Sequence, residues 1–168
     1  MSNLIDSKKD RLVYGLIFGF YSALLMYLGY KMTFDTSIYY RIVNYLFAIG
    51  IIYYAINKFK IENDGFLEIN QSIKIGLGIG LIGGIVYAIY TYFHLSFVNK
   101  DFLVDVVESI KASEDTQGRE MTSEEIKETK AVAINFMGSP FFYATLNLIG
   151  SVFQAFIISL VIGLIKKK

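Results

Sequence analysis

The chain has 168 residues, of which 54% are hydrophobic and 18% are charged, with a formal net charge of +1. Soluble domains carry about 25% charged residues, so this chain is depleted in charge, and its near-zero net charge gives no electrostatic reason to expect nucleic acid as a partner. The absence of cysteine excludes disulfides, thiolate catalysis and Cys-ligated metal centres, and a single histidine excludes any site built from several His ligands.

Four long stretches without charged residues predict four transmembrane helices. A helix rises about 1.5 Å per residue, so roughly 20 residues cross a hydrocarbon core about 30 Å thick. The second stretch reaches that length only with aromatic residues placed at its two interfaces. We therefore expect a single all-α, polytopic membrane domain over residues 1–168, with spans near Leu12–Tyr30, Tyr39–Phe59, Ile75–Val98 and Phe141–Ile165.

The first stretch could be a cleaved signal peptide, since residues 7–11 form a charged segment before it. Its apolar run is too long for a signal peptide, and no A-x-A-like cleavage site follows before Lys31. We therefore interpret it as an uncleaved membrane helix.

The distribution of basic residues predicts the orientation of the chain. Segments 1–11, 58–74 and 166–168 together hold nine Lys and Arg against five Asp and Glu, whereas the opposite side holds seven against ten. The positive-inside rule places both termini in the cytoplasm, so we expect a multi-pass protein of the inner membrane with residues 99–139 outside.

The external loop 99–139 carries helical signals of its own. A polar turn at 113–121 separates an apolar stripe from a capping box at Thr122–Glu125, and Pro140 is placed to begin the last span. The stripe could lie on the membrane surface or the outer end of the bundle, or it could dock a protein partner. We favour the first interpretation, because such a helix needs no partner to bury the apolar residues Phe102, Leu103, Val106, Val107 and Ile110.

Small residues recur at four-residue steps in three of the spans. Gly78, Gly80 and Gly83 form a G-x-G-x-x-G match, but the strand and βαβ context that nucleotide binding requires is missing. Close backbone approach explains the pattern better, since lipid supplies no hydrophobic drive between helices. We expect the third-span stripe to contact the first span or a second copy of the chain. The predicted packing residues are Gly15, Gly19 and Ala23; Gly76, Gly80, Gly84 and Ala88; and Ser151, Ala155, Ser159 and Gly163.

Polar residues inside the spans define two candidate sites. Asn147, Ser151 and Gln154 share one face of the fourth span, and Asn44 on the second span could face them. This set could form a polar pocket or path, or only hydrogen bonds between helices, which we favour because no charged residue joins it. His94 is expected at the interfacial aromatic belt, with pH sensing as the alternative.

We expect no catalytic centre, cofactor or metal site. Asp64 and Glu68 could bind a divalent cation, but they lack a third partner at fixed spacing and indicate a solvated loop. The leading hypothesis is a structural or accessory subunit of a membrane complex, and the alternative is a small oligomeric transporter or channel. Expected partners are membrane lipid and further copies or other membrane proteins.

Short motifs along the whole chain resemble those of a known family. They are Tyr14–Gly19 in the first span, Asn63–Phe66 and Gln71–Gly76 before the third, and Met137–Pro140 before the fourth, followed by a lysine-rich end. The chain resembles the domain of unknown function 4199 family of small membrane proteins, found mainly in Bacteroidetes. The resemblance implies a four-span bacterial membrane protein and supplies no activity, cofactor or catalytic residue.

Single cysteines test the orientation, since the chain has none of its own. We expect a membrane-impermeant thiol reagent added from outside to label a cysteine at Asp115, and not one at Ser2, Asp64 or Lys168. Labelling at any of these three positions would contradict the predicted topology.

Overall fold

The computed structural model describes residues 2–32, 38–112 and 123–167. Within these ranges the chain forms α-helices joined by short turns, and one π-helix at His94–Val98 that continues α3 without a break. The α-helices are α1 Ser2–Met32, α2 Ile38–Glu62, α3 Ile69–Phe93, α4 Lys100–Ala112, α5 Ser123–Met137 and α6 Pro140–Lys166.

Four helical segments are long and apolar enough to cross a membrane: Lys8–Met32, Ile42–Glu62, Ile69–Val98 and Pro140–Lys166. They confirm the predicted all-α, multi-pass membrane fold. We call the end of the bundle with α4 and α5 the cap end, and the end with the α2–α3 turn and Lys167 the tail end.

The third span begins earlier than its charge pattern indicates. The predicted start at Ile75 follows Lys74, yet α3 begins at Ile69. The backbone N–H of Glu68 donates to Oε1 of Gln71 over 2.9 Å, which supplies half of a capping box at this terminus. Lys74 remains exposed on the first turns of the helix, so a charge there does not end it.

Helix α3 is the centre of the bundle, because it packs against α6 on one face and α1 on another. A Cβ atom built on Gly80 would lie 2.6 Å from Cβ of Ala155 on α6. One built on Gly83 would lie 2.8 Å from the carbonyl oxygen of Gly15 on α1. Both distances are shorter than normal carbon contacts, so the backbones approach as closely as glycine allows.

The predicted partner of the third-span stripe is wrong. Gly76, Gly80 and Gly84 face Ser159, Ala155 and Ser151 of the last span, and not the first span. The first span instead meets α3 at Gly83, Ile79 and Ile82. Gly83 and Gly84 are neighbours in sequence and so about 100° apart around the helix, which gives α3 two small-residue faces. The pattern along one helix identifies such a face but not its partner.

The α3–α6 contact continues to the tail end through hydroxyl groups. The Ser72 hydroxyl donates to the carbonyl oxygen of Ser159 over 2.6 Å, and both serines are buried. A Cβ built on Gly163 would lie 2.9 Å from that of Ser72. The predicted four-residue series on the fourth span, Ser151, Ala155, Ser159 and Gly163, is buried throughout.

Helix α2 closes the bundle at the tail end only. Its C-terminal half buries Ala48, Ile52, Ala55 and Ile56 in a core completed by side chains from α1, α3, α6 and the α2–α3 turn. Nearer its N-terminus, its exposed apolar side chains are Ile38, Tyr39, Ile42, Val43, Tyr45 and Leu46. The outer part of α2 therefore lies against lipid and leaves space beside α6.

Polar side chains join the helices at the tail end. Lys58 on α2 pairs with Asp10 on α1 at 2.8 Å. Lys60 donates to the carbonyl oxygen of Lys166 over 2.8 Å, and the Lys166 ammonium lies 4.2 Å above the Tyr53 ring. Partly exposed pairs of this kind contribute little to stability, about 0–1 kcal/mol each. They connect α1, α2 and α6 at the tail end.

At the cap end, the apolar stripe of α4 turns towards the protein itself. Phe102 meets the Tyr143 ring edge to face, with centroids 5.2 Å apart, and Val107 packs close to Gly138. This agrees with the interpretation that the stripe covers the outer end of the bundle. Pro140 occupies the first turn of α6 as predicted, whereas the turn at 113–121 and Thr122 of the capping box lie outside the described residues.

Two glycine-to-alanine variants test the α3–α6 contact. Gly80→Ala should lower the stability of the detergent-solubilised protein by about 1–3 kcal/mol, because its Cβ has no space beside Ala155. Gly50→Ala is the matched control, since nothing lies within 4 Å of its Cβ and helix propensity favours alanine by about 1 kcal/mol. The measurement is the thermal unfolding midpoint, and a rise for both variants would show that the α3 stripe is not packed.

Candidate functional site: a polar cavity between the second and last spans

A cavity of about 530 Å³ lies inside the bundle where α2 diverges from α6. Side chains from all four spans line it, so its shape depends on the packing of α1, α3 and α6 and on the position of α2. Its polar lining residues are Ser22, Asn44, Tyr45, Tyr87, Asn147, Ser151 and Gln154.

The structure brings the four residues of the sequence-predicted polar pocket to this one cavity. Asn147, Ser151 and Gln154 project from one face of α6, and Asn44 reaches the same space from α2. Gln154 lies near the middle of Pro140–Lys166, so the cavity extends to about the centre of the span. Of the two interpretations, this arrangement supports a polar pocket over hydrogen bonds between helices alone, because the four side chains line one cavity.

Most of the polar groups are satisfied by the chain itself. Nδ2 of Asn147 donates to Oγ1 of Thr91 over 3.0 Å, and Thr91 donates to the carbonyl oxygen of Tyr87 over 2.9 Å. The Ser151 hydroxyl donates to the Asn147 carbonyl oxygen over 2.7 Å, and Ser22 makes the same local bond to Phe18 over 2.9 Å. These bonds fix the cavity wall formed by α3 and α6.

Two amide atoms of the lining are different. Oδ1 of Asn44 and Nε2 of Gln154 are buried, and neither has a hydrogen-bond partner among the described residues. A buried polar atom without a partner costs about 1–3 kcal/mol. One of these atoms is an acceptor and the other a donor, so the cavity wall holds one unpaired group of each kind.

The cavity opens sideways between α2 and α6. Tyr45, Phe153 and Ile157 line it and are also exposed on the outer surface of their helices, with 55%, 63% and 42% of their areas accessible. These positions lie within the spans, so the opening faces the hydrocarbon of the bilayer. A molecule dissolved in the membrane can therefore enter the cavity without crossing water.

The packed core closes the cavity towards the tail end. Phe18 and Ile158 line the cavity and also pack into the core, in which Ile52, Ile79 and Ala155 are fully buried. The space consequently ends inside the bundle and does not continue to the tail end.

A second cavity of about 220 Å³ lies on the cap-end side, and Tyr87 and Asn147 line both. Its other polar residues are Tyr30, Thr91, His94, Asn99 and Tyr143. Polar side chains therefore follow one another from Asn99, at the outer end of α3, to Gln154.

His94 lies inside the protein, so its expected place in the interfacial aromatic belt is wrong. It is 1% exposed, its Nδ1 lies 3.1 Å from the Tyr90 hydroxyl, and its ring packs edge to face on Tyr30. His94 lies three residues after the buried Thr91, so the regular register of α3 places both on one face. The π-helix begins at His94 and is closed by Asn99 N–H donating to the His94 carbonyl oxygen.

The described residues hold no group of three or more His, Asp or Glu side chains that could ligate a metal ion. Asp64 and Glu68 both lie exposed at the α2–α3 turn. Asp64 and Gly65 have positive φ angles of 52° and 82°, so the turn geometry accounts for this polar segment.

Sequence reasoning missed the aromatic part of the site. Tyr45, Tyr87 and Phe18 line the cavity, but aromatic residues are common throughout this chain, and nothing in their spacing distinguishes these three. A signal existed only for the polar residues of α6, because residues three and four positions apart on a helix share the face of Asn147.

These features define a multi-pass membrane protein: four apolar helices around a laterally open polar cavity. More particularly, the chain belongs to the family described as protein of unknown function (DUF4199), whose match covers residues 13–168. Comparison with curated proteins and with solved structures gave no match.

Substitution of two amides on α6 should change stability in opposite directions. Gln154→Leu should raise the free energy of unfolding by about 1–2 kcal/mol, because it removes a buried donor without a partner. Asn147→Leu should lower it by about 0.6–1 kcal/mol, because it breaks the bond to Thr91. Thermal unfolding in phosphatidylcholine nanodiscs measures both effects, and equal shifts of the same sign would contradict this assignment.

Proposed function

We propose that this protein is a non-catalytic accessory subunit of a complex in the bacterial inner membrane, and that it works by binding. The observation that carries this proposal is the closed-ended, laterally open cavity with two amide atoms, on Asn44 and Gln154, that the chain itself leaves unpaired. Natural proteins pair nearly all buried polar groups, so an unpaired donor and acceptor in one cavity favour an occupant from outside the chain.

The chemistry of the lining supports binding over catalysis. The polar groups of its described lining residues are amides and hydroxyls, and none of them is a carboxylate, ammonium or imidazole. General acid–base catalysis uses groups whose pKa values lie near the working pH, whereas amides hold and orient a ligand without exchanging protons with it. His94 borders only the cap-end cavity.

In the proposed orientation, both termini are cytoplasmic and the cap end lies outside. The excess of basic residues in segments 1–11, 58–74 and 166–168 supports it. Lys58, Lys60 and Lys166 come together at the tail end, which would then face the cytoplasm.

A small oligomeric transporter or channel is the second candidate. It is favoured by the two cavities that share Tyr87 and Asn147, since they extend a line of polar side chains from the cap end to the middle of α6. Conduction would require the core at Phe18 and Ile158 to open.

Proteoliposomes distinguish the two candidates. We expect the purified protein to release entrapped glycerol or potassium no faster than protein-free vesicles, because the core closes the cavity. A transporter would show flux above this background, and Asn147→Leu or Gln154→Leu would reduce that flux.

The accessory role also predicts a stable partner. Mild solubilisation of native membranes should recover the protein in a complex of fixed stoichiometry larger than its own oligomer. Recovery only as a monomer or homo-oligomer, together with flux in vesicles, would refute the proposed function.

A further inference from the structure

The occupant of the cavity must satisfy two opposite requirements. It must travel through hydrocarbon, because the opening lies between Tyr45 on α2 and Phe153 on α6 within the membrane spans. It must also carry hydrogen-bonding groups to the middle of the bilayer, where an amide without a partner has no water to bind. An amphiphile with a small polar head and an apolar tail meets both requirements.

The lining also determines the charge of the occupant. Among the described side chains that line the cavity there is no Lys, Arg, His, Asp or Glu. A phosphate, carboxylate or ammonium head group would find no counter-charge among them, and burying such a group is far more costly than burying a neutral polar group. An uncharged lipid therefore fits this lining better than a phospholipid or an ionised fatty acid.

The two free amide atoms specify the functional groups of the head. Oδ1 of Asn44 requires a hydrogen-bond donor, and Nε2 of Gln154 requires an acceptor. A hydroxyl can serve either atom, and an ester carbonyl can serve the amide N–H. A volume of about 530 Å³ lies within the range of about 300–1,000 Å³ typical of ligand pockets, and the exposed rings and aliphatic chains at the mouth can cover the start of a tail.

We propose that the cavity binds an uncharged lipid whose head carries both a hydroxyl and an ester carbonyl, of the monoacylglycerol type, and that this lipid enters from the bilayer between α2 and α6. The inference rests on the proposed binding function and names its ligand class. The two amide side chains turn towards the bound head, because their unpaired atoms have less than 1 Å² of accessible surface in the present arrangement. The hydroxyl then donates to Asn44, Gln154 donates to the carbonyl oxygen, and the acyl chain leaves the cavity past Phe153 and Ile157.

A tryptophan at the cavity mouth provides the test, since the chain has no tryptophan of its own. Ile149 on α6 is 59% exposed and lies one helical turn from Phe153 without lining the cavity, so Ile149→Trp is the reporter. Ile89→Trp is the matched control. Ile89 is 55% exposed, and both isoleucines lie nine residues from the cap end of their spans. Ile89 differs from the reporter because it lies on another face of α3 from Tyr87, which lines the cavity.

Each variant is placed in phosphatidylcholine nanodiscs and titrated with a monoacylglycerol brominated on its acyl chain, which quenches nearby tryptophan. We expect quenching of the Ile149→Trp reporter to saturate at a low mole fraction of lipid. The control should show only the gradual, unsaturated quenching of a lipid-facing ring. Equal, unsaturated quenching at both positions would overturn the proposal.

Head-group specificity is tested in the same reporter background. Asn44→Leu and Gln154→Leu should each raise the half-saturating mole fraction about fivefold, and together about tenfold or more, because each removes one hydrogen bond. These variants should fold, since they replace unpaired amides. Unchanged half-saturation in the double variant would refute the role of the amides.

Two further brominated lipids test the remaining groups. A fatty acid anion should not saturate the reporter, and a methyl ester without the hydroxyl should bind about fivefold more weakly. Saturation by the anion at the same mole fraction would refute the inference of an uncharged ligand.

The lipid inference and the accessory function fail in different ways. If quenching by the monoacylglycerol does not saturate and the vesicles show no flux, the lipid inference is refuted and the accessory function stands. Flux in vesicles or turnover of the lipid would refute the accessory function even if the lipid binds.

Discussion

Along α3, glycines on two faces let α1 and α6 approach until their atoms nearly touch its backbone. In a bilayer, apolar side chains gain nothing by leaving lipid for protein, so helices associate through dispersion forces that require short distances. Gly80 allows that distance towards Ala155, and Gly83 allows it towards Gly15. The cavity depends on the same contacts, because α1, α3 and α6 form a fixed wall from which α2 diverges.

Much of the fold follows from the sequence, because the bilayer fixes the length and polarity of a span. The charge-free stretches predicted four spans, and the remaining errors have physical causes. Lys74 suggested a boundary at Ile75, but Glu68 and Gln71 cap an α3 that already begins at Ile69. The stripe at Gly76 and Gly80 was recognised, yet its partner could not be, since periodicity describes one helix and a contact requires two.

The site was predictable to the extent that it lies on one helix. Asn147 and Gln154 share a face of α6 by their spacing alone, and Asn44 completes the set from α2. The cavity itself could not be predicted, because it depends on how all four spans pack together in three dimensions. The burial of His94 was equally hidden, since it depends on packing against Tyr30 of α1, and the sequence does not show which helix covers that face of α3.

The order of the helices along the chain has a consequence for biogenesis. Helix α3 is synthesised before α6, so its Gly76–Gly84 face enters the membrane while the segment that covers it does not yet exist. During that interval the face can pack against any other membrane helix that has small residues at four-residue steps. Pairing of α3 with a helix of another protein therefore competes with its pairing with α6. The rate at which α6 inserts determines which pairing forms first.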